Sequence, residues 1–142
     1  MRLGIDLDNT IIDYTRAFAE AVVAAGCAPV DLGAGKTALR GALRARPDGE
    51  ADWMRVQALG YGPLIGRAQP FAGVEAFFDR ARARGLTLTI VSQKTDVAAG
   101  APDGPNLRDC ARGWLAARGI VRDGEPVAYF EPTRAAKCAR IA

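Results

Sequence analysis

The sequence predicts an α/β protein, a parallel sheet wound with helices that carries a small helical insert after its first strand. Three observations predict it. Apolar runs of strand length alternate with stretches of helical period, which implies parallel strands joined by helical crossovers. The first run, Leu3-Gly4-Ile5, leads straight into Asp6-Leu7-Asp8-Asn9-Thr10. That places two carboxylates and a hydroxyl where open α/β sheets bind ligands. Residues 14–69 then show helical patterns and no strand of their own.

The elements follow in order. Arg2 to Leu7 reads as a buried strand. A helix is predicted from Tyr14 to Ala25, ending near Gly26, and a second, rich in Ala and Leu, from Gly33 to Ala45. Pro47-Asp48-Gly49 is a turn signal, and a third helix runs from Glu50 to Leu59 until Gly60-Tyr61-Gly62-Pro63 breaks it. Gln69-Pro70-Phe71-Ala72-Gly73 marks the return to a new unit. Val74 to Arg84 is an amphipathic helix with Val74, Phe77, Phe78 and Ala81 on one face, stopped by Gly85.

Leu86 to Val91, alternating Leu, Thr, Leu and Thr before Ile and Val, is the clearest strand and ends in Ser92. A loop rich in Gly, Pro and Asp spans Gln93 to Pro105. The next helix, Asn106 to Arg118, carries Leu107, Ala111, Trp114 and Leu115 at core spacing. Pro126 to Phe130 is a third strand. Pro132 and Thr133 open a last helix, with Thr133 as its cap. This divides the chain into a core, residues 1–13 and 70–142, and a helical cap, residues 14–69.

Composition narrows the chemistry. A chain of 142 residues, 49% hydrophobic and 25% charged, is long enough for one domain with a real core. No apolar run approaches the length of a membrane span, and Asp6 interrupts the opening stretch too early for a signal peptide. The expectation is a cytoplasmic protein with no membrane partner. The net charge is +3, with sixteen Arg and only three Lys. An excess of Arg spread over solvated helix faces explains this more simply than an anionic partner. No basic patch interleaved with aromatics suggests nucleic acid.

Cys27, Cys110 and Cys138 are widely spaced and odd in number, so they read as buried free thiols, not as a zinc or disulfide framework. The chain has no histidine. That excludes Ser-His-Asp and Cys-His catalysis and histidine metal sites. Catalysis must rest on carboxylates, hydroxyls, Lys, Arg and bound metal.

Asp6 and Asp8, spaced i and i+2, face the same side of an extended segment. Two such carboxylates repel each other unless a cation or basic groups sit between them. Ser92 follows the second strand, and Lys137 lies near the start of the helix after the third. Carboxylates suit Mg²⁺, while a hydroxyl and an ammonium group suit phosphate oxygens. Asp, Asp, Ser and Lys at successive strand ends make a phosphoryl-transfer set.

At these residues the chain resembles the haloacid dehalogenase (HAD) superfamily of phosphohydrolases. Asp6-Leu7-Asp8-Asn9-Thr10 matches its first motif, Asp-x-Asp-x-Thr. Ser92 after Leu-Thr-Ile-Val matches the second, and Lys137 fits the third. Asp13 matches a frequent Asp just after the first motif. Pro70-Phe71-Ala72-Gly73-Val74 looks like the segment returning from an inserted cap. Val91-Ser92-Gln93-Lys94-Thr95 and Phe130-Glu131-Pro132-Thr133-Arg134 resemble a narrower subgroup that often has His where Gln93 stands.

The resemblance covers essentially the whole chain. It implies a Rossmann-like three-layer fold and a Mg²⁺-dependent phosphomonoesterase acting on a small phosphorylated metabolite. It implies Asp6 as the nucleophile that forms an aspartyl-phosphate and Asp8 as the acid and base. Mg²⁺ would be held by the Asp6 side chain and the Asp8 backbone carbonyl. Thr10 would orient Asp8 and its turn, and Ser92 and Lys137 would clamp the phosphate.

Several assignments stay open. Lys94 competes with Lys137 for the phosphate. Asp13 equally suits a cap on the first helix. Trp53, Arg55 and Tyr61 are candidates to line a pocket from the cap, although core or surface roles are simpler. Arg134 reads as a surface charge.

The chain departs from the family pattern in one respect. The resemblance implies a last core strand and a fourth motif ending in acidic residues after the helix of Lys137, and the expectation from these residues is a core without them. In the family that strand would lie beside the first, which is left as an exposed edge. A shortened form of an ancestral phosphatase, a homodimer pairing through the exposed edge, or replacement ligands such as Asp96 or Glu131 would each account for this. The expectation is reduced activity unless another ligand completes the metal site. The alternative function is a weak or inactive HAD-like module that binds a phosphorylated ligand or a protein partner. A signalling receiver domain also uses Asp, Ser or Thr, and Lys at strand ends, but the helical insert has no place in that fold. Nothing in residues 14–69 names a substrate.

Overall fold

A computed structural model describes residues 2–28 and 30–141. In chain order the elements are β1 (Arg2–Ile5), β2 (Ile12–Asp13), α1 (Thr15–Ala24), α2 (Gly35–Arg44) and α3 (Gly49–Tyr61). After a 3₁₀ turn at Ile65–Arg67 come β3 (Gln69–Pro70), α4 (Val74–Ala83), β4 (Thr87–Gln93), α5 (Leu107–Ala117), β5 (Val127–Glu131) and α6 (Arg134–Ile141). The protein is α/β, with a parallel three-stranded sheet in the order β1-β4-β5.

β4 is the central strand because its apolar residues are covered from both sides. Leu88, Ile90 and Val91 are buried along it. Ile5 pairs with Ile90, and Ser92 pairs with Phe130. The chain therefore leaves β1, β4 and β5 at the same end of the sheet. β1 is an edge strand among the described residues. It is shorter than the predicted run to Leu7 and only half-buried, since one side of its ladder has no neighbouring strand there.

Leu7 is fully buried beyond the end of β1 and organises the turn. Its carbonyl accepts from the backbone N–H groups of Thr10, Ile11 and Ile12 at 3.3, 2.9 and 3.1 Å. The turn needs one left-handed residue, and Asn9 supplies it at φ 60°. Asn tolerates that region because its short polar side chain bonds locally.

The insert packs as a three-helix unit around Phe18. That ring lies 5.5 Å from Trp53 and 5.1 Å, edge on, from Tyr61. Two short strands join the insert to the core, pairing antiparallel through Ile12–Pro70 and Asp13–Gln69. This neck left no trace in the sequence pattern, because two residues per strand cannot show a period. A second clamp holds it. The Ala68 carbonyl accepts from Trp114 Nε1 at 3.1 Å and from Arg118 Nη2 at 3.0 Å, both side chains of α5.

The other helices follow the predicted pattern with small shifts at their ends. Asn106 caps α5 by accepting from the N–H groups of Arg108 and Asp109. Thr133 Oγ1 accepts from Ala136 N–H at 3.1 Å and caps α6. Leu107, Ala111, Trp114 and Leu115 are all core.

Phe77 departs from the expectation. It is 42% exposed, while its neighbour Phe78 is 1% exposed. Phe78 and Ala81 face the core, and Phe77, about 100° further round the helix, falls on the solvent margin of the apolar stripe. The thiols also differ from the expected burial. All three are free, but only Cys27 is buried, Cys110 is half-buried and Cys138 is exposed. No helix among the described residues is long and apolar enough to cross a membrane.

The loop after β4 presses directly on the cap. A Cβ at Gly100 would stand 2.7 Å from the Met54 carbonyl oxygen on α3, closer than real contacts allow. Gly100→Ala is expected to lower stability by about 1–3 kcal/mol in urea unfolding, the usual cost of forcing an extra carbon into a packed contact. An unchanged midpoint would show that the loop yields freely.

Candidate active site at the carboxyl end of the sheet

The first motif hangs from the end of β1, where the turn built on the Leu7 carbonyl holds it. Asp6 is the more open carboxylate, its side chain 44% exposed. Its Oδ1 accepts from its neighbour's backbone, Leu7 N–H, at 2.8 Å and lies 2.7 Å from Lys137 Nζ. Asp8 is more enclosed and has both oxygens engaged. Oδ1 accepts from the Tyr14 hydroxyl at 2.6 Å, and Oδ2 lies 3.1 Å from Lys94 Nζ.

Each carboxylate of the motif thus has its own lysine. The two lysines arrive from different parts of the core. Lys137 comes from α6, and Lys94 from the first residue after β4. Both lysines weighed as phosphate ligands therefore stand at the motif, one lysine per carboxylate.

Lys94 is 5% exposed, a burial that an ammonium group tolerates only when paired. Its backbone is pinned as well. Lys94 N–H donates to the Glu131 carbonyl at 2.8 Å, and its own carbonyl accepts from Arg108 Nε at 2.9 Å. The ammonium also sits 4.5 Å from the centre of the Tyr61 ring.

Tyr14 ties the cap to the motif. It is 1% exposed and precedes α1 directly. Burial, and then the Asp8 charge, push its hydroxyl well above the ordinary phenol range. It therefore keeps its proton and donates to Asp8. Burial, with Asp8 again, raises the Tyr61 hydroxyl too. The two rings meet edge on at 4.9 Å.

A small cavity of about 180 Å³ opens at this point, lined by Asp8, Tyr61, Gln93, Lys94, Thr95 and Leu107. A second, of about 220 Å³, shares Tyr61, Thr95 and Leu107 with it and continues between α3 and the loop of Gly100. Of the three pocket candidates in the cap, only Tyr61 lines these spaces. Trp53 is core, and Arg55 pairs with Asp52 on the surface.

Ser92 stands at the expected end of β4 but is 1% exposed, and it is not part of the cavity lining. Thr95 lines the cavity instead, with its hydroxyl donated to the Val97 carbonyl at 2.8 Å. Thr10 lies exposed in the turn, where its N–H donates to Leu7. Asp13 takes the capping role. Its Oδ1 accepts from Thr15 N–H at 2.9 Å and Thr15 Oγ1 at 2.6 Å, shaping the entry to α1.

The candidate replacement ligands are engaged elsewhere. Asp96 lies 3.1 Å from Arg108, and Glu131 pairs with Arg140. No group of three or more His, Cys, Asp or Glu side chains is placed to hold a metal ion among the described residues. Asp6, with its exposed carboxylate, still fits the way proteins usually hold Mg²⁺, by one or two carboxylates completed by water and substrate phosphate.

Sequence reasoning missed Tyr14 and Lys36. The Lys36 ammonium, from α2, hydrogen-bonds the Tyr61 hydroxyl and lies 4.9 Å from the same ring centre. One signal was available. All three lysines of the chain, against sixteen arginines, lie at this motif or against the Tyr61 ring beside it.

Tyr14→Phe removes one donor from Asp8 and leaves the ring in place. Stability should fall by about 1–3 kcal/mol in urea unfolding, as for a buried hydrogen bond to a charged group. No loss would mean that water replaces the hydroxyl. The chain matches no protein-family model, no curated protein and no solved structure in the comparisons made.

Proposed function

We propose that the chain is a HAD-like phosphohydrolase that removes phosphate from a small phosphorylated metabolite. One observation carries this reading, the pairing of each carboxylate of Asp6-x-Asp8 with its own lysine at the carboxyl end of a parallel sheet. Ammonium groups that neutralise carboxylates are also suited to hold phosphate oxygens.

The difference between the two carboxylates supports a division of roles. Asp6 is open enough to reach a substrate. In this reading its oxygen attacks phosphorus in line, an aspartyl-phosphate bond forms, and the bond to the leaving oxygen breaks. Asp8, fixed by Tyr14, takes up a proton as the phosphorylated substrate binds and gives it to the leaving oxygen. It then takes a proton from the water that attacks the same phosphorus and frees Asp6. Lys94 and Lys137 hold the phosphoryl oxygens as charge spreads over them. Mg²⁺, when bound at Asp6 and the Asp8 backbone carbonyl, would shield the negative charge of the incoming phosphate. The cap, packed over the cavity, favours a small substrate over a protein or nucleic acid.

A second reading, a module that binds a phosphorylated ligand without turning it over, is favoured by one observation. Asp8 already has both oxygens engaged, and no third acidic residue joins the pair among the described residues.

Hydrolysis of p-nitrophenyl phosphate with added MgCl2 decides between them. Turnover that requires Mg²⁺ and falls by at least about a thousandfold in Asp6→Asn is expected for the enzyme, since losing a nucleophile removes the whole covalent route. Phosphate binding by calorimetry with no turnover would select the binding module instead.

A further inference from the structure

Lys36 stands apart from the other two lysines. Lys94 and Lys137 each have a carboxylate, whereas Lys36 has none within salt-bridge distance among the described residues. Its ammonium is half-buried against aromatic rings, 4.9 Å from the centre of Tyr61 and 5.4 Å from that of Phe18. Its hydrogen bond to the Tyr61 hydroxyl sets it at the outer end of that ring. Lys94 sits over the same ring at 4.5 Å, so one tyrosine spans the distance between the two cations.

The charges do not balance around this ring. Two ammonium groups, Lys36 and Lys94, lie against it with Asp8 as the carboxylate that acts on both, and Arg40, one turn further along α2, adds to the positive field on Lys36. Burial, Lys94 and Arg40 all disfavour the charged form of Lys36, and only Asp8 opposes them. A half-buried cation held by one phenol hydroxyl and two ring faces, with no anion in salt-bridge contact among the described residues, is incompletely satisfied. Tyr61, its partner, lines both connected cavities.

We propose that Lys36 binds a second anionic group of the ligand, so that the site selects small molecules carrying a carboxylate or a second phosphate besides the phosphate held near Asp8. The proposal rests on the phosphate-site reading above and deepens it. The phosphate lies with Lys94 and Lys137, and the second anion reaches along the Tyr61 ring to Lys36 on α2. Neutral alcohol and sugar monophosphates leave Lys36 unmatched. Lys36 is then a specificity-determining residue that takes no part in the chemistry.

The test uses non-hydrolysable probes, so it does not depend on turnover. Calorimetry at constant free Mg²⁺ compares methylphosphonate, which has one anionic group, with phosphonoacetate and methylenediphosphonate, which have two. The native protein should bind at least one of the two larger probes about tenfold or more tightly than methylphosphonate, as expected for one charge-assisted contact. Whichever is tighter identifies the second group as carboxylate or phosphate.

Lys36→Met keeps the apolar stem and removes the charge. It should reduce the preference to about twofold or less, while methylphosphonate affinity and the far-ultraviolet dichroism stay unchanged. Lys36→Arg should retain most of the preference, which keeps the test valid if the Met variant folds poorly. A native protein with no preference, or a preference that survives Lys36→Met, overturns the proposal while the phosphate site stands. Failure of every probe to bind, methylphosphonate included, overturns the phosphate site and this proposal together.

Discussion

Two carboxylates set two residues apart, just past the end of one strand, are the constraint on which the rest of the site depends. Alone, Asp6 and Asp8 would repel each other and weaken the turn that carries them. Lys137 and Lys94 relieve that repulsion from outside the strand. The relief needs long-range structure. Lys94 must leave β4 at the right residue, and Lys137 must lie on a helix that returns over β4 and β5. The sheet order β1-β4-β5 brings both to the motif. The burial of Lys94 makes the dependence mutual, since that ammonium would be costly to bury without Asp8.

The cap does more than cover this end of the sheet. It contributes Tyr14 to Asp8, and the rings of Tyr14 and Tyr61 form a wall beside the lysines. The wall keeps its position because the insert is tied down at three places. The two-residue strands close its neck, the Ala68 carbonyl is held by Trp114 and Arg118, and the loop of Gly100 lies against Met54. These contacts join residues far apart in sequence. Together they let a chain of this size present a cavity with walls on both core and cap.

Much of the fold was legible in the sequence, for a physical reason. Helical and strand periods are local, and they reported β4, α1, α5 and α6 to within a few residues. Thr133 and Asn106 were readable as helix starts because capping is chemistry within one turn. The Asp6-x-Asp8 pair was legible because charges at a strand end have few structural uses. The neck strands are too short for any period. Phe77 was misread because four apolar residues on α4 were assigned to a face that holds only some of them. The partners of the pair were harder to see. That Lys94 serves Asp8, Lys137 serves Asp6 and Tyr14 orients the enclosed carboxylate depends on register between distant strands, which no local window contains. Ser92 matched a pattern in sequence, yet it is buried and does not line the cavity.

The distribution of basic residues has a consequence for handling the molecule. Arginine carries the ordinary surface and helix-end contacts, and lysine is kept for the neighbourhood of the motif. Apart from a terminal amine, every primary amine on the chain therefore belongs to one small region. Acylating reagents, which ignore guanidinium groups, become a selective label for that region without any engineering. Lys36 is half-buried against Tyr61, and Lys94, buried and paired, is the most protected. The rate at which each amine is modified is thus a built-in gauge of whether the space between cap and core is empty or filled.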